Sequence, residues 1–347
     1  MTLNVEVVTV VAGGSRYTGW TKVDINYAIK EAARSFSLET TERPGEFNFL
    51  PGTPITIFAN ASLVLTGYVN GYHPQGDANS HTITIKGRSK SQDVVDSSAT
   101  HDTGHFEKKD AAEIGAELDK FGVGIRAKVK LPKIRYWQIA PGESVFATLE
   151  RALRPAGVTM MGAADGGIDI TDASVAQRHA GGLIEGVNIK EYSGDLTDQN
   201  RHSDYSIKGQ ARSGAGAAAL RVKEDCKDGG VKRYRPKTII HEGDCDSERA
   251  KKRGEHERNR RAGLSIKCEI TTQGWRDDGG LLWEPNRLIY VHSPILLKIS
   301  QDMLIEKVSL SQDSGGSGSL AKLSLVDPRA YNGKQGKTSS DKGWSHE

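Results

Sequence analysis

Alternation of apolar and polar residues along residues 1–90 is the feature that most constrains how this chain can fold. Successive side chains of a β-strand point to opposite faces, so apolar residues at every second position are typical of half-buried antiparallel strands. The alternating positions are Val5, Val7 and Thr9; Val23 and Ile25; Phe36 and Leu38; Ile55, Ile57 and Ala59; Val64 and Thr66; and Ile83 and Ile85. Turn-forming residues separate these runs at 12–15, 43–45 and 76–80. Many short strands joined by turns predict a barrel or a sandwich, and only 27–33 has the pattern of a short helix.

A second pattern, with apolar residues three or four positions apart, begins near residue 91 and predicts two amphipathic helices. The first covers 107–121 and the second 143–156, which Pro141 precedes as a start signal. Their apolar stripes are Ala111, Ile114, Leu118 and Phe121 in the first, and Val145, Phe146, Leu149, Ala152 and Leu153 in the second. The strands predicted beside them are 125–131, 158–162 and 168–171. We therefore expect 91–182 to form a compact α/β unit inserted into the β framework, with Phe121, Phe146 and Leu149 packed in its core.

Strand character returns after the predicted insertion and continues to about residue 330. The clearest runs are 205–207, 264–271, 288–292, 304–310 and 320–326. Three other segments lack apolar periodicity and predict mobile chain: a linker at 209–219, a hairpin tip at 313–319 and a polar tail at 331–347.

Length, charge and cysteine content indicate a globular chain with more than one core. At 347 residues it is long enough for two or three domains, and its net charge of +3 is too small for bulk binding to nucleic acid. Cys226, Cys245 and Cys268 form no CxxC pair, which favours reduced thiols over a disulfide framework. The N-terminus lacks the basic residues of a signal peptide, and no apolar run approaches the roughly 20 residues that cross a bilayer. We therefore expect synthesis in a cytoplasm and no stable membrane insertion.

No group of residues has the spacing of a catalytic, cofactor-binding or metal site. Four candidate zinc ligands, His241, Cys245, His256 and Cys268, have irregular gaps, whereas structural zinc sites use paired close ligands. The carboxylates weighed as acid–base pairs are Glu143, Glu150, Asp277, Asp278 and Glu284, and none lies in the apolar run that a catalytic acid needs. The sequence has no GxSxG elbow and no phosphate-binding glycine loop, although distant residues can assemble a Ser–His–Asp triad. We therefore predict a protein that is not an enzyme and that has no catalytic residue, cofactor or metal.

A basic segment at 247–262 predicts a helix whose charges are largely paired. Its cations are Arg249, Lys251, Lys252, Arg253, Arg258, Arg260 and Arg261. Glu248 precedes Lys252 by four residues and Glu257 precedes Arg261 by four, which is the favourable orientation for ion pairs within a helix. No aromatic residue lies among the cations to stack on bases. The pattern favours a helix that faces solvent or another subunit over a nucleic-acid site.

Six segments occur in an order and spacing that is more specific than any one of them alone. They are GRSKSQDVVDSSA at 87–99, EGVNIKEYSGDLTDQNRHSDYSIKGQ at 185–210, VKRYRP at 231–236, the basic helix at 247–262, Gly274 with Trp275, and LWEPN at 282–286. Their ordered combination resembles the baseplate hub proteins of Mu-like contractile-tailed phages, which are relatives of the late control D and VgrG proteins. The resemblance extends from about residue 16 to 330.

The resemblance implies a mainly β fold with a smaller α/β insertion and two antiparallel β-barrel domains of the tail-hub type. The first barrel is expected to comprise 1–90 together with 183–212, where the strand at 205–207 closes it. The inserted α/β domain is then 91–182, the second barrel is 213–330, and 331–347 is the flexible polar tail.

The implied function is that of a structural hub in the tail baseplate of a virion or prophage. A homotrimer is expected to present six barrels in a ring that joins the sixfold tail tube to the threefold central spike. The implied partners are the spike, the tail tube or tape-measure protein and neighbouring baseplate proteins, with DNA only in transit through the channel during ejection. Rapid transit favours a neutral or acidic channel wall, so we expect the basic helix to lie away from it.

Two other functions are weighed against the hub. A tail-associated cell-wall hydrolase or glycan-binding protein would use paired carboxylates, or Trp275 and Trp283 as an aromatic platform for sugars. The hub part of a type VI secretion spike would usually continue into a β-helical region, whereas this chain ends in a short polar segment.

Overall fold

The structure is a computed structural model that describes residues 6–41, 49–78, 81–211, 220–295, 299–316 and 318–334. Most of the predicted linker at 209–219 and most of the predicted tail at 331–347 lie outside the described residues. Tyr331, which the tail prediction included, is buried with its hydroxyl donating a hydrogen bond to Glu306, so the ordered fold extends further than expected. In the described part of the chain, no helix has the length and apolar character needed to cross a membrane.

β-strands account for most of the described structure, and we number the elements along the chain. The strands are β1 Val8–Ala12, β2 Ser15–Tyr17, β3 Lys22–Ala28, β4 Ser35–Thr40, β5 Pro54–Ala59, β6 Ser62–Gly76, β7 His81–Ser89, β8 His105–Lys109, β9 Ile125–Ala127, β10 Ile134–Gln138, β11 Thr159–Gly162, β12 Ile168–Thr171, β13 Gln177–Ile184, β14 Ile189–Leu196, β15 Asp204–Gln210, β16 Val222–Lys227, β17 Pro236–Asp244, β18 Ile266–Gln273, β19 Arg287–Ser293, β20 Ile299–Asp313 and β21 Gly318–Val326. The helices are α1 Gln92–Asp96, α2 Ala111–Leu118, α3 Val145–Leu153 and α4 Ser247–Leu264, with short 3-10 helices at Arg154–Ala156, Ala173–Val175 and Pro328–Tyr331.

One large sheet unites the two ends of the chain. Within the described residues, thirteen strands form this sheet, and its main path runs β14-β18-β21-β20-β3-β4-β7-β6-β5-β1-β2. The N-terminal and C-terminal halves meet where β3 pairs antiparallel with β20, which places Ile25 opposite Leu310 and Tyr27 opposite Val308. A single core of buried apolar side chains continues across this pairing. Among the described strands no hydrogen-bonded pair closes either half into a ring, so the mainly β fold is observed while the two-barrel arrangement stays a prediction.

The predicted alternation is confirmed in most strands of the first half. Val23, Ile25, Leu38 and Ile57 are buried. Strand β1 differs from this prediction. Its buried residues are Val8, Val10 and Ala12, whereas Val7, which lies on the face that the alternation predicted, is 54% exposed. The predicted short helix at 27–33 is wrong. Tyr27 and Ala28 belong to β3, whose backbone is held by pairing with β20, and long-range pairing therefore overrides the local pattern.

The strands of 183–212 do not pair as the predicted first barrel requires. Strand β13 pairs in parallel with β19, and β14 pairs antiparallel with β18, so both join the C-terminal half. Strand β15 contains the predicted strand at 205–207, but it pairs with β16 and β17 in a separate three-stranded sheet. The strand predicted at 205–207 is therefore confirmed, whereas the predicted pairing partners are wrong. Backbone groups pair with the strand edge that the path of the chain brings close, and the local sequence does not specify that edge.

Between β7 and β13, buried apolar side chains form a cluster that is separate from the core of the large sheet. Strand β8 pairs with β10, β12 pairs with β9 and β11, and α2 and α3 pack beside them. Buried side chains from these elements include Ile114, Leu149 and Ile168. The second helix is confirmed at Val145–Leu153, where Ser144 caps the backbone N–H of Ala147.

The first helix of this unit is shorter than predicted, and the prediction for Phe121 is wrong. The helix starts at Ala111 because Asp110 and Glu113 form a capping box, and 105–109 pairs as strand β8 instead. It ends at Leu118 because the Asp119 carboxylate accepts the N–H groups of Val123 and Gly124 and turns the chain outward. Phe121 is therefore 38% exposed, and the buried Val123 joins the core.

Replacement of Leu149 tests this separate core. Leu149 is fully buried, so Leu149→Ala is expected to lower the free energy of unfolding by ~2–5 kcal/mol, measured by urea denaturation. Phe121→Ala is the matched control and should change stability by less than ~0.5 kcal/mol, because its ring is largely outside the core. Equal effects of the two substitutions would contradict the assignment of the core.

Candidate functional site: an interior junction and an arginine-rich helix

Arg34 lies where the inserted unit and both halves of the large sheet meet. Its side chain is 3% exposed. Nε donates to the Gly162 carbonyl of the inserted unit at 3.0 Å, and Nη1 donates to the Val64 carbonyl of β6 at 3.0 Å. Nη1 and Nη2 donate to the two carboxylate oxygens of Glu284 at 3.2 and 2.9 Å. One guanidinium therefore ties three parts of the chain together with bidentate geometry.

Tyr27 and Asn286 extend this junction on either side of Glu284. The Arg34 guanidinium lies 4.3 Å from the centre of the Tyr27 ring, and the Tyr27 hydroxyl donates to the Trp283 carbonyl at 2.7 Å. Burial, and then the Glu284 carboxylate, raise the pKa of Tyr27, so its hydroxyl remains a donor. Asn286 donates to the Thr171 hydroxyl and to the Asp172 carbonyl at 3.0 and 3.1 Å. The LWEPN segment thus contacts the first half of the large sheet through Trp283 and Glu284, and the inserted unit through Asn286.

A buried His–Asp pair next to the junction has the composition of two members of a catalytic triad. His179 Nδ1 lies 2.8 Å from an Asp277 carboxylate oxygen, and His179 Nε2 accepts the Glu284 N–H at 3.2 Å. Burial lowers the pKa of His179, which favours a neutral ring that donates from Nδ1 and accepts at Nε2. Because the Nε2 lone pair is occupied by a main-chain N–H, the ring cannot take a proton from a hydroxyl. The pair therefore fixes the position of Glu284.

Asp277 also closes the turn between the two tryptophans. Its carboxylate accepts the N–H groups of Ala180, Gly279 and Leu281. Burial alone would raise the pKa of Asp277, but the hydrogen bonds from His179 and from these main-chain groups lower it overall. Trp275 and Trp283 are both buried, so neither offers a face for sugar stacking.

The other candidate carboxylates lie in ion pairs of the inserted unit or in turns. Glu143 pairs with Arg151 at 2.9 Å and accepts the Thr148 hydroxyl, and these contacts hold the pKa of Glu143 at about 2. Glu150 pairs with Arg154 one turn along. These two carboxylates are ion-pair partners, and Asp278 lies in the turn that Asp277 closes.

The four candidate zinc ligands are spread over separate elements. His241 is in β17, His256 is in α4, and the buried Cys245 and Cys268 belong to two different cores. Across the ranges that the structure describes, no three His, Cys, Asp or Glu residues gather in a metal-binding arrangement. Burial raises the pKa of the Cys268 thiol to about 12, and Cys226, Cys245 and Cys268 form no disulfide in the described structure.

The predicted ion pairs of the arginine-rich helix α4 are confirmed, but the helix is not simply solvated. Lys252 pairs with Glu248 at 2.6 Å, and Glu257 pairs with both Arg253 and Arg261, at 2.9 and 3.5 Å. Glu257 is buried, which the charge pattern did not predict. One face of α4 packs on β15 and β16 through small residues such as Gly254, where an added Cβ would lie 3.2 Å from Cys226.

The small β15–β17 sheet also exposes large apolar side chains that the sequence analysis did not single out. Tyr234 is 82% exposed and Ile240 is 69% exposed. Lys208 and Lys223 border the groove beside Ile240. Exposed apolar groups ringed by charge are typical of protein–protein contact surfaces. Two exposed apolar residues in short strand and turn segments are a weak sequence signal, because only the fold shows that no other described residue covers them.

Comparison with known protein families gives three matches that together cover most of the chain. Residues 7–89 match the family described as Mu phage baseplate assembly protein GpP-like, N-terminal. Residues 91–172 match the baseplate hub protein gp44-like second domain, and residues 246–334 match the Mu phage baseplate assembly protein GpP fourth domain.

Individual relatives give the same result. The baseplate hub protein gp44 of Escherichia phage Mu is 29% identical over 317 residues, which are 87% of this chain and 83% of that protein. The crystal structure of the 43 kDa tail protein of prophage MuSo2 from Shewanella oneidensis is 31% identical, with a TM-score of 0.83 over 95% of this chain and 100% of that one. The tail protein from Neisseria meningitidis MC58 shares the fold, with 20% identity and a TM-score of 0.80 over 94% and 99% of the two chains.

Replacement of Arg34 tests whether the junction holds the parts of the chain together. Arg34→Met leaves Glu284 without its buried partner, so we expect a loss of ~3–5 kcal/mol in the free energy of unfolding, measured by denaturant titration. Arg126→Met is the matched control. Arg126 is likewise paired with carboxylates, those of Asp165 and Asp169, but it is 41% exposed, so its loss should cost no more than ~1 kcal/mol. Similar costs for the two would show that the junction is not the stabilising contact.

Proposed function

Because the chain belongs to the family of baseplate hub proteins of Mu-like phages, we propose that it forms a homotrimeric ring joining the sixfold tail tube to the threefold central spike. The protein is a baseplate hub of a Mu-like tail and thus a structural component of the virion. The observation that carries the proposal is the match with the MuSo2 tail protein over 95% of this chain and the whole of that one. Neighbouring baseplate proteins, the spike and the tube or tape-measure protein are the proposed partners.

A correspondence between the two halves of the chain supports six similar units in a trimer. In the first half, β5 is followed by β6 with 15 residues and β7 with 9, paired antiparallel in that order. In the second half, β19 is followed by β20 with 15 residues and β21 with 9, paired in the same way. Each long strand also carries a register shift against the strand that follows it. Two equivalent β units per subunit would let a threefold ring present six of them, which is what a symmetry adaptor requires.

We retain the division into β, inserted and β units as a proposal, with one change of membership. The first β unit is 1–90, and the inserted unit, expected to cover 91–182, is proposed to end before β13 begins at Gln177. The second β unit is proposed to include β13 and β14, because these strands pair with β18 and β19. The same proposal includes closure of each β unit into a barrel in the assembled ring.

We also propose that DNA passes through the ring and that α4 lies away from the channel. One face of α4 covers the β15–β17 sheet, and several of its cations are bound to glutamates of the same helix. Such a helix is suited to contact another protein surface. A channel wall with unpaired arginines would hold phosphates and slow the passage of DNA.

The oligomeric state is the direct test of the proposed ring. Light scattering of the purified protein, alone or with its spike, is expected to give about three times the chain mass of 37.6 kDa. A monomer that persists at micromolar concentration with spike protein present would contradict the proposal. Soluble fragments released from purified cell walls would instead favour a hydrolase.

Binding of duplex DNA tests the position of α4. The assembled ring is expected to bind DNA weakly at physiological salt, and changing Arg253, Arg258 and Arg260 together to Glu should leave that binding nearly unchanged. Fluorescence anisotropy with labelled DNA measures both. Submicromolar binding that disappears in the triple variant would place these arginines in the channel.

A further inference from the structure

A cleft of about 320 Å³ separates α4 from the inserted unit. One wall is α4, the other is the end of α3 with the turn that follows it, and the floor is formed by Lys30 and the Pro328–Tyr331 turn. The residues with charged or titratable side chains along it are Lys30, Glu150, Arg154, Arg253, His256, Glu257, Arg260 and Tyr331. The cleft therefore draws side chains from all three units of the chain.

The two walls are held at a fixed distance by a close contact at Gly157. This residue has φ of +68°, and an added Cβ would lie 2.2 Å from Cε1 of His256. Asn332 donates to the carbonyls of Ala156 and Gly157 at 3.1 and 3.3 Å. Backbone of the inserted unit thus rests directly on α4 and on the C-terminal turn. A cleft bounded by such contacts is preorganised and loses little entropy when it binds a group.

Positive charge in the cleft exceeds negative charge, and both of its carboxylates are already engaged. Glu150 pairs with Arg154, and Glu257 pairs with Arg253 and, outside the cleft, with Arg261. Arg260 has no ion pair or hydrogen bond among the described residues. Lys30 likewise forms no ion pair with a described carboxylate, and its ammonium lies 5.1 Å from the centre of the Tyr331 ring. Two cations are therefore left for a ligand from outside the chain.

The titration behaviour of the cleft agrees with this excess. Burial, and then the charge of Arg260, lower the pKa of Lys30, while Glu306 acts in the opposite direction. Burial, and then the charge of Arg253, lower the pKa of His256. A further positive charge is thus unfavourable here, and an anion that entered would relieve the repulsion between Lys30 and Arg260.

We infer that this cleft receives the carboxylate of an acidic side chain from another protein, held between Arg260 and Lys30. A planar carboxylate fits the forked guanidinium of Arg260, and the ammonium of Lys30 supplies a second donor. Nucleic acid is the less suitable ligand, because Tyr331 is 2% exposed and the other ring that lines the cleft, the imidazole of His256, lies against Gly157. That the partner is another tail protein rests on the proposed function, whereas the binding chemistry does not.

Zero-length crosslinking tests the inference directly. A carbodiimide activates the carboxylates of a labelled hexaglutamate peptide, and the unprotonated amine of a nearby lysine attacks to form an amide. With the full-length protein, we expect mass spectrometry to find the adduct at Lys30 well above the level at Lys251, an exposed lysine of α4 outside the cleft. Arg260→Gln should reduce the Lys30 adduct about tenfold, because it removes one charged hydrogen-bonding partner. Lys251→Gln is the matched control and should leave the Lys30 adduct unchanged.

Several outcomes would overturn the inference. Equal labelling of Lys30 and Lys251, or an adduct at Lys30 that is unaffected by Arg260→Gln, would show that the cleft does not select carboxylates. If short duplex DNA displaced the peptide at lower concentration than unlabelled hexaglutamate, the ligand would be a phosphate backbone instead. Light scattering on the same samples reports the oligomeric state separately, so failure of the ring proposal and failure of this one can be told apart.

Discussion

The buried guanidinium of Arg34 is the interaction on which the arrangement of the chain depends. An arginine removed from water is costly unless all of its donors are satisfied, and here a carboxylate and two carbonyls from different parts of the chain satisfy them. The same Glu284 that neutralises it is positioned by His179 and Asp277. Because each partner comes from a different unit, the charge is compensated only when all the units are in place.

The buried polar groups that look most like chemistry thus act in assembly. His179, Asp277 and Glu284 are the residue types of an acid–base site, yet each of their reactive atoms is occupied by an internal hydrogen bond. Saturated polar contacts of this kind hold the parts of the chain in a fixed relation to one another. Charged and apolar side chains that are open to contact lie at the cleft beside α4 and at the groove of the β15–β17 sheet. These two surfaces are the proposed sites of contact with other proteins.

Much of the local structure could be predicted because its signals are local. Alternation at Val23 and Ile25 specified β3, and the apolar stripe through Leu149 specified α3. The helix limits near Phe121 were missed because the Asp119 carboxylate, and not the apolar stripe, turns the chain there. The junction itself was also missed. The sequence around Arg34 shows only a single arginine before an alternating strand, and the available sign that it is buried is its position next to apolar neighbours.

The sequence by itself determined most of the strands, the helix through Leu149 and the family that the chain resembles. These properties follow from side-chain periodicity and from motif order, which are written along the chain. Only the tertiary structure decided that β13 and β14 pair with the C-terminal half and that Arg34 pairs with Glu284 at a separation of 250 residues. Backbone hydrogen-bonding groups are nearly the same in every residue, and one carboxylate attracts an arginine much as another does. The choice among such partners is therefore made by the path of the chain in space.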